Sequence, residues 1–357
     1  MITKQPILSF LVVTYNHSHC IRRCIDSLLA LPISIPYEIV IGDDRSSDDT
    51  YKILQEYQIA YPDKIKIYQV NSDTINPKTN GERAGYNRSC GYQLLSGKYY
   101  AEVDGDDYVL PNDIYQRQVE MLEKYPECGL CMQNIFVLRN GANVEEGVKY
   151  HPNLPWDSNT IISAEEYLYR PEFFMQHQGF VYRRHKDIDP TKYTGRFYED
   201  TTVSLFHLQY GNVGIIDESG YVWICHTNGI NGTLTNDDRH VVLGLLPFLH
   251  IALFPKLKDI LLRAEYVSMN GFVKQLLCRK YNLSNSTINY LLSIKLPIYQ
   301  RLAIICEQGM SCSIRLRIYF ARMALILARK CKYNKTLLAL AYKVLNGNVN
   351  RLDIIQL

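Results

Sequence analysis

Apolar residues come in short, dense runs through the first hundred positions, and polar clusters close each run. Residues 7–14 are almost wholly apolar and end in Tyr15-Asn16, the pattern of a strand buried on both faces. Ser18 can then cap a helix over 19–31, whose apolar face is Ile21, Ile25, Leu28 and Leu29. Pro32 and Pro36 break the chain before a second buried strand, 38–42, which ends in Asp43-Asp44. Ser47 or Asp48 starts a helix reaching about Tyr61, and a third strand spans 64–70. After a loop with Asn76-Pro77, a helix over 82–96 leads to a fourth strand, 98–103. That strand runs into Asp104-Gly105-Asp106-Asp107, with Pro111 in the first turn of the next helix.

Strands alternating with helices predict a mainly parallel α/β sheet. In such sheets ligands bind beyond the carboxyl ends of the strands. Tyr15, Asp43-Asp44 and Asp104 to Asp107 all fall at that edge, so three polar clusters are expected to share one crevice. Further on, the pattern predicts a helix over 203–210 and a strand over 213–216. From about 236 onward only helical patterns remain: 241–253, 257–277, 286–296, 299–306, 314–330 and 335–345. The expected division is a catalytic α/β domain, 1–235, and a helical C-terminal region, 236–357.

Charge sharpens that division. The net charge is +3, yet residues 1–235 hold 21 Lys and Arg against 30 Asp and Glu, whereas 236–357 hold 18 against 6. Between 308 and 352 there is no acid and there are nine Lys or Arg. Arg315, Arg322 and Arg329 recur every seven residues and share one helical stripe. This is either a helical subdomain packed on the acidic half or a basic amphipathic surface for an anionic bilayer. No recognition motif for nucleic acid accompanies it. No stretch is long and apolar enough to span a membrane, and residues 1–6 lack a signal-peptide layout, so a cytoplasmic protein is expected, with peripheral contact to the inner face of the membrane. The ten cysteines are scattered; Cys128 and Cys131 form a CxxC with no partner pair at zinc spacing, and reduced core thiols are expected.

Several stretches together carry a resemblance. They are 12–16 (Val-Val-Thr-Tyr-Asn), 38–50 with Asp43-Asp44, Gly97-Lys98-Tyr99, the run Asp104 to Tyr108, and Arg196-Phe197-Tyr198-Glu199-Asp200. In that order they resemble the family 2 glycosyltransferases of GT-A fold, and most of all the bacterial members that build surface polysaccharides. The resemblance covers about 6–230.

The resemblance implies a nucleotide-sugar site at Thr14, Tyr15 and Asn16, with the Tyr15 ring near the base and Asp43 hydrogen-bonded to it. Asp104 is implied in the ribose or metal shell, and Asp106 as the ligand of Mn²⁺ or Mg²⁺, ions that take hard oxygen donors. Asp107 is left the role of capping the next helix. Arg83 is read as a phosphate contact or as a solvated helix arginine; many family members carry Ala-Arg-Asn nearby, where this chain has Tyr86 at the arginine position. Asp200 is implied as the general base that deprotonates the acceptor hydroxyl, set just before the 203–210 helix. His226 is either structural or the ligand that closes the metal shell. Gly229 and Gly232 suggest a loop that orders over bound donor, and 176–183 fits an acceptor-side strand.

The expectation is therefore an inverting, metal-dependent transfer of a sugar from a nucleoside diphosphate, UDP above all, to a glycan or lipid-linked glycan. Two rivals remain. One is a non-catalytic nucleotide-binding scaffold of a polysaccharide assembly complex, against which Asp200 argues. The other is a nucleotidyltransferase, which would need a Gly-rich, basic phosphate loop where Tyr15-Asn16-His17-Ser18 stands.

Overall fold

The computed structural model describes residues 5–75, 80–139, 147–168, 178–185, 199–225, 254–257 and 260. All of them belong to one compact unit. The helices expected beyond 236, the 308–352 stretch, Gln176-His177, the Gly229 and Gly232 loop and His226 lie outside the described residues, apart from short pieces at 254–257 and 260.

The first half alternates as expected. Its elements are β1 (Leu8–Thr14), α1 (Ile21–Leu29), β2 (Tyr37–Asp43), α2 (Thr50–Ala60), β3 (Ile65–Gln69), α3 (Asn80–Tyr92) and β4 (Tyr99–Asp104). The short β5 (Tyr108–Val109), α4 (Ile114–Lys124) and the long β6 (Cys128–Arg139) follow. Then come β7 (Val148–Lys149), β8 (Thr160–Ile162), α5 (Ala164–Leu168), β9 (Val181–Arg183), α6 (Glu199–Leu208) and β10 (Asn212–Cys225). The sheet order is β3-β2-β1-β4-β9-β6-β10-β5, with β7 beside β6 and β8 beside β10. The pairs β3/β2, β2/β1, β1/β4 and β6/β10 are parallel; β9, β5, β7 and β8 are antiparallel additions.

All seven residues of β1 are buried, as its apolar run requires of a strand covered on both faces. Leu8, Phe10 and Val12 join the core beneath α1 and α4, while Leu11 points to the core on the other face. Phe10 meets Tyr115 edge-on at 5.0 Å. α1 buries Ile21, Cys24, Ile25 and Leu28, one face of a helix at the expected spacing.

Several helix boundaries shift. α1 starts at Ile21 after Cys20, and no side chain caps it; the Ser18 amide instead donates to Asp48 Oδ2 at 3.1 Å. α2 starts at Thr50, whose amide donates to Asp48 Oδ1 at 3.0 Å, so Asp48 serves the loop and the helix start together. Pro111 lies outside α4, which begins three residues later. α6 starts four residues earlier than expected and takes Glu199-Asp200 into its first turn. Glu38 sits at the far edge of the sheet, 3% exposed, accepting from Ser9 Oγ (2.6 Å), the Ser96 amide (2.6 Å) and Lys66 Nζ (2.7 Å). Burial raises its pKa, but those donors outweigh it and the net direction is downward.

Cys128 and Cys131 are free and buried at the start of β6, with Cys131 Sγ 3.5 Å from Met121 Sδ. Burial pushes both thiols up, the environment of an inert core thiol. No helix among the described residues is long and apolar enough to cross a membrane.

Candidate active site

The strand order reverses beside β1: β2 and β3 are added on one side, β4 on the other. A crevice at the carboxyl ends is expected at that switch point. Register brings the polar ends together there, because Thr14 pairs with Asp43 and Val13 with Asp104. The ladder continues past the strands through Asp44 N–H to Thr14 O (3.0 Å) and Gly105 N–H to Val13 O (2.9 Å).

The first two loops are knitted together. Asn16 adopts φ 56°, a left-handed conformation that asparagine tolerates. From there its amide donates to Ser46 Oγ at 2.8 Å and its Oδ1 accepts from the Ser47 amide at 2.8 Å. The His17 amide donates to Thr50 Oγ1 at 2.8 Å. Asp43 is fully buried; it accepts from Ser46 N–H at 3.0 Å, from Gln69 Nε2 at 2.9 Å and from Ser46 Oγ.

Tyr15, one residue past the end of β1, is 46% exposed. The Arg83 guanidinium lies over its ring, 5.0 Å from the centroid, and pairs with Asp44 (2.8 Å) and Asp73 (2.5 Å). Arg83 therefore belongs to the Tyr15 side of the crevice and is mostly buried rather than solvated. Asn87, one turn further along α3, is buried and donates to Gly42 O at 2.9 Å, which ties the helix to β2.

The acidic run closes the other side. Gly105 is needed where it stands: a Cβ there would meet His17 Nδ1 at 2.9 Å, Thr14 Cβ at 3.0 Å and Val13 O at 3.0 Å. Thr14 Oγ1 and His17 Nδ1 are buried at this spot without a hydrogen-bond partner among the described residues. Asp106 O accepts from Arg23 Nη2 at 3.0 Å, and Arg23 in turn lies over the Tyr108 ring at 4.8 Å. Cys20 and Cys24 back the loop, their thiols directed at Gly105 O (3.8 Å) and Asp104 O (3.7 Å). Burial and the nearby Asp106 push Cys20 up to about 12.

Asp107 is not a helix cap. It is 1% exposed and accepts from Tyr221 Oη at 2.6 Å and from the Ile224 amide at 2.7 Å. Tyr221 Oη also accepts from the Asp104 amide at 3.2 Å. Burial first, then the Asp106 and Asp104 charges, push the Asp107 carboxyl well above its usual range. β10 is thus stitched to the acidic run, one residue short of where Cys225 ends the strand.

Asp104 and Asp106 supply the hard oxygen donors that a divalent cation takes. Asp104 is one-quarter exposed at the end of β4. Among the described residues no group of three His, Cys, Asp or Glu forms that could hold an ion, and His226 lies outside the described residues. Asp200 is in the first turn of α6, and its side chain is likewise outside them. Sequence reasoning missed Arg88, Glu102 and Tyr221. Arg88 Nη2 pairs with Asp104 Oδ1, and its Nε lies 3.5 Å from Glu102 Oε2. An acid inside an otherwise apolar strand was the available signal, since a buried carboxylate needs a cation.

The family model described as glycosyl transferase family 2 matches residues 9–189, just over half of the chain. The chain belongs to glycosyltransferase family 2. An uncharacterized protein of Mycobacterium tuberculosis is 28% identical over 237 residues, 65% of this chain and 62% of that protein. An uncharacterized glycosyltransferase of Nostoc is 26% identical over 215 residues, 59% of this chain and 62% of that one. The match thus spans about three-fifths of these relatives' length. Among solved structures, S. aureus TarS 1–349 in complex with UDP-GlcNAc has a TM-score of 0.55 at 16% identity, covering 88% of this chain and 87% of that one. The same protein with UDP gives 0.53 at 15% identity, covering 91% and 87%. These likenesses carry the fold alone, a mixed α/β sheet of GT-A type.

Proposed function

We propose that this family 2 glycosyltransferase moves a sugar from a UDP-sugar to a hydroxyl of a glycan or lipid-linked glycan, with inversion, in bacterial surface-polysaccharide assembly. The observation that carries the reading is the register at the switch point, which sets Thr14, Asp43 and Asp104 side by side with Asp106 two residues on. The UDP and UDP-GlcNAc named for the TarS structures support the choice of donor.

In this reading Tyr15 and Arg83 flank the base, and Thr14, Asn16 and Asp43 hold the nucleoside. Asp104 and Asp106, with His226, would hold a Mn²⁺ or Mg²⁺ ion, which supplies positive charge against the departing diphosphate. Asp200 accepts the proton of the acceptor hydroxyl as its oxygen bonds to the anomeric carbon. The bond from that carbon to the diphosphate breaks on the opposite face, and its electron pair leaves with the diphosphate. One base suffices, with no covalent intermediate.

Residues 308–352 form, in the same reading, a basic surface that rests on the anionic inner face of the membrane, where a lipid-linked acceptor lies. Deleting 308–357 is expected to abolish sedimentation with anionic vesicles; undiminished sedimentation refutes it. For the reaction itself, a panel of nucleotide sugars with Mn²⁺ is assayed for release of the nucleoside diphosphate, with and without a lipid-linked glycan extract. Release from a UDP-sugar, accelerated by extract, is expected. Nucleotide binding without turnover of any donor would favour the scaffold instead.

A further inference from the structure

Arg88 and Glu102 lie inside the residues that the family model matches but outside the short stretches that carry the resemblance, and they stand directly under the acidic run. Glu102 and Asp104 are two residues apart in β4, so both project from one face of the strand. Arg88 comes from α3, which packs on β1 and β2, and meets both carboxylates. Its Nη2 engages Asp104 Oδ1, and its Nε lies 3.5 Å from Glu102 Oε2. Glu102 is 3% exposed and the Arg88 side chain 10%.

A buried glutamate and a buried arginine are expensive to desolvate, and apolar residues of similar size often stabilise a fold as well. The arrangement has a geometric use instead. The guanidinium is hydrogen-bonded to Asp104 and lies at ion-pair distance from Glu102, and its planar fork presents fixed donors where a lysine would not. Asp104 is then held at two points, its Oδ1 by Arg88 and its backbone N–H by Tyr221 Oη. Its Oδ2 makes no hydrogen bond among the described residues, and the side chain is one-quarter exposed.

We propose that Arg88 is a positioning residue: with the buried Glu102 as a second counter-charge, it holds one oxygen of Asp104 so that the other is aimed at the nucleoside diphosphate and its cation. The proposal rests on the donor-site reading above. It predicts a specific defect, loss of the gain in nucleotide affinity that the metal brings, whereas a purely structural role would weaken binding with and without metal alike.

The test titrates UDP into the full chain by calorimetry, once with Mn²⁺ and once with EDTA, and compares the ratio of the two affinities across variants. Partners of a metal ligand commonly cost about 10–100-fold when removed. Arg88→Gln should therefore cut the Mn²⁺-dependent ratio about tenfold or more, with binding in EDTA changed by less than about threefold. Arg88→Lys, which keeps the charge without the fork, should recover part of the ratio but stay about threefold below the parent protein. Glu102→Gln should fall between them. A parent-like ratio in Arg88→Gln overturns the proposal. If that variant does not fold, Arg88→Lys decides, and a parent-like ratio there overturns it equally. If the parent protein itself binds no UDP in Mn²⁺, the donor-site reading has failed, and this inference falls with it.

Discussion

Tyr221 offers the sharpest test of how the acidic run is held. Its hydroxyl donates to Asp107 Oδ2 at 2.6 Å and accepts from the Asp104 amide at 3.2 Å, while its ring is fully buried. Tyr221→Phe removes only that oxygen, so no sizeable cavity forms. What remains is a buried carboxylate with the Ile224 amide as its one described partner, and an Asp104 N–H whose acceptor is gone. Leaving a buried polar group unsatisfied costs about 1–3 kcal/mol, so a loss of about 2 kcal/mol in unfolding free energy is expected. With a urea slope of about 2–3 kcal/mol/M, the midpoint should fall by just under about 1 M at unchanged slope. Tyr108→Phe is the control: it lies in the same segment, is partly exposed under Arg23, and should stay within about 0.5 kcal/mol of the parent. Combining Tyr221→Phe with Asp107→Asn should cost less than the two changes separately, by more than about 0.5 kcal/mol, because they break one shared contact. A Tyr221→Phe midpoint equal to that of the parent would refute the argument that β10 anchors the run.

Three further outcomes are expected. Asp200→Asn should retain UDP affinity by calorimetry while turnover falls by about 10²–10⁴, the usual worth of a general base; full turnover removes it from that role. Gly105→Ala should destabilise by about 1–3 kcal/mol through overpacking against Thr14 and Val13 O, read as a lower urea midpoint; an unchanged midpoint contradicts the close approach. His207 is fully buried, its Nε2 2.9 Å from Tyr100 Oη and its ring beside His185, with Arg183 and Lys256 the cations near that histidine. Burial, then the His185 charge, hold the His207 pKa well below its ordinary value, so the unfolded chain takes up a proton first as pH drops. The contribution of this group to stability should therefore be constant above about pH 6.5 and fall below it, by at most about 1.4 kcal/mol per pH unit. His207→Phe should flatten part of that slope between about pH 6.5 and 5, and identical slopes would contradict it.

The parallel half of the fold was legible because apolar runs over 7–14 and 38–42 admit burial on both faces and little else. The shared end of the strands followed from the same runs, since each ended in a polar cluster, but the strand order that makes it a switch point did not. Helix starts were less legible. Ser18, Asp48 and Asp107 all look like caps in sequence, yet Asp48 alone serves a helix start, through Oδ1 to the Thr50 amide; its Oδ2 takes the Ser18 amide, and Asp107 gives its oxygens to β10. Those partners are 30, 2 and 114 positions away, and only the local one is visible to a pattern read along the chain. Arg88 illustrates the same limit. Arg83 was the arginine weighed in the sequence, but α3 turns Arg83 to Tyr15 and Asp44 and Arg88 to Asp104. The stretch from 112 to 175, which holds α4, β6, β7, β8 and α5, has mixed polarity. Its strands are added antiparallel or to the far side of the sheet, and no alternation there foretold them.

The central claim is that the crevice at the ends of β1, β2 and β4 binds a nucleoside diphosphate with a divalent ion held by Asp106. Calorimetric titration of UDP into the parent chain and into Asp106→Ala, each with Mn²⁺ and with EDTA, tests it most directly. The parent should bind UDP more tightly with Mn²⁺, and Asp106→Ala should bind alike in both conditions. Equal metal-dependent tightening in the two proteins would contradict the account.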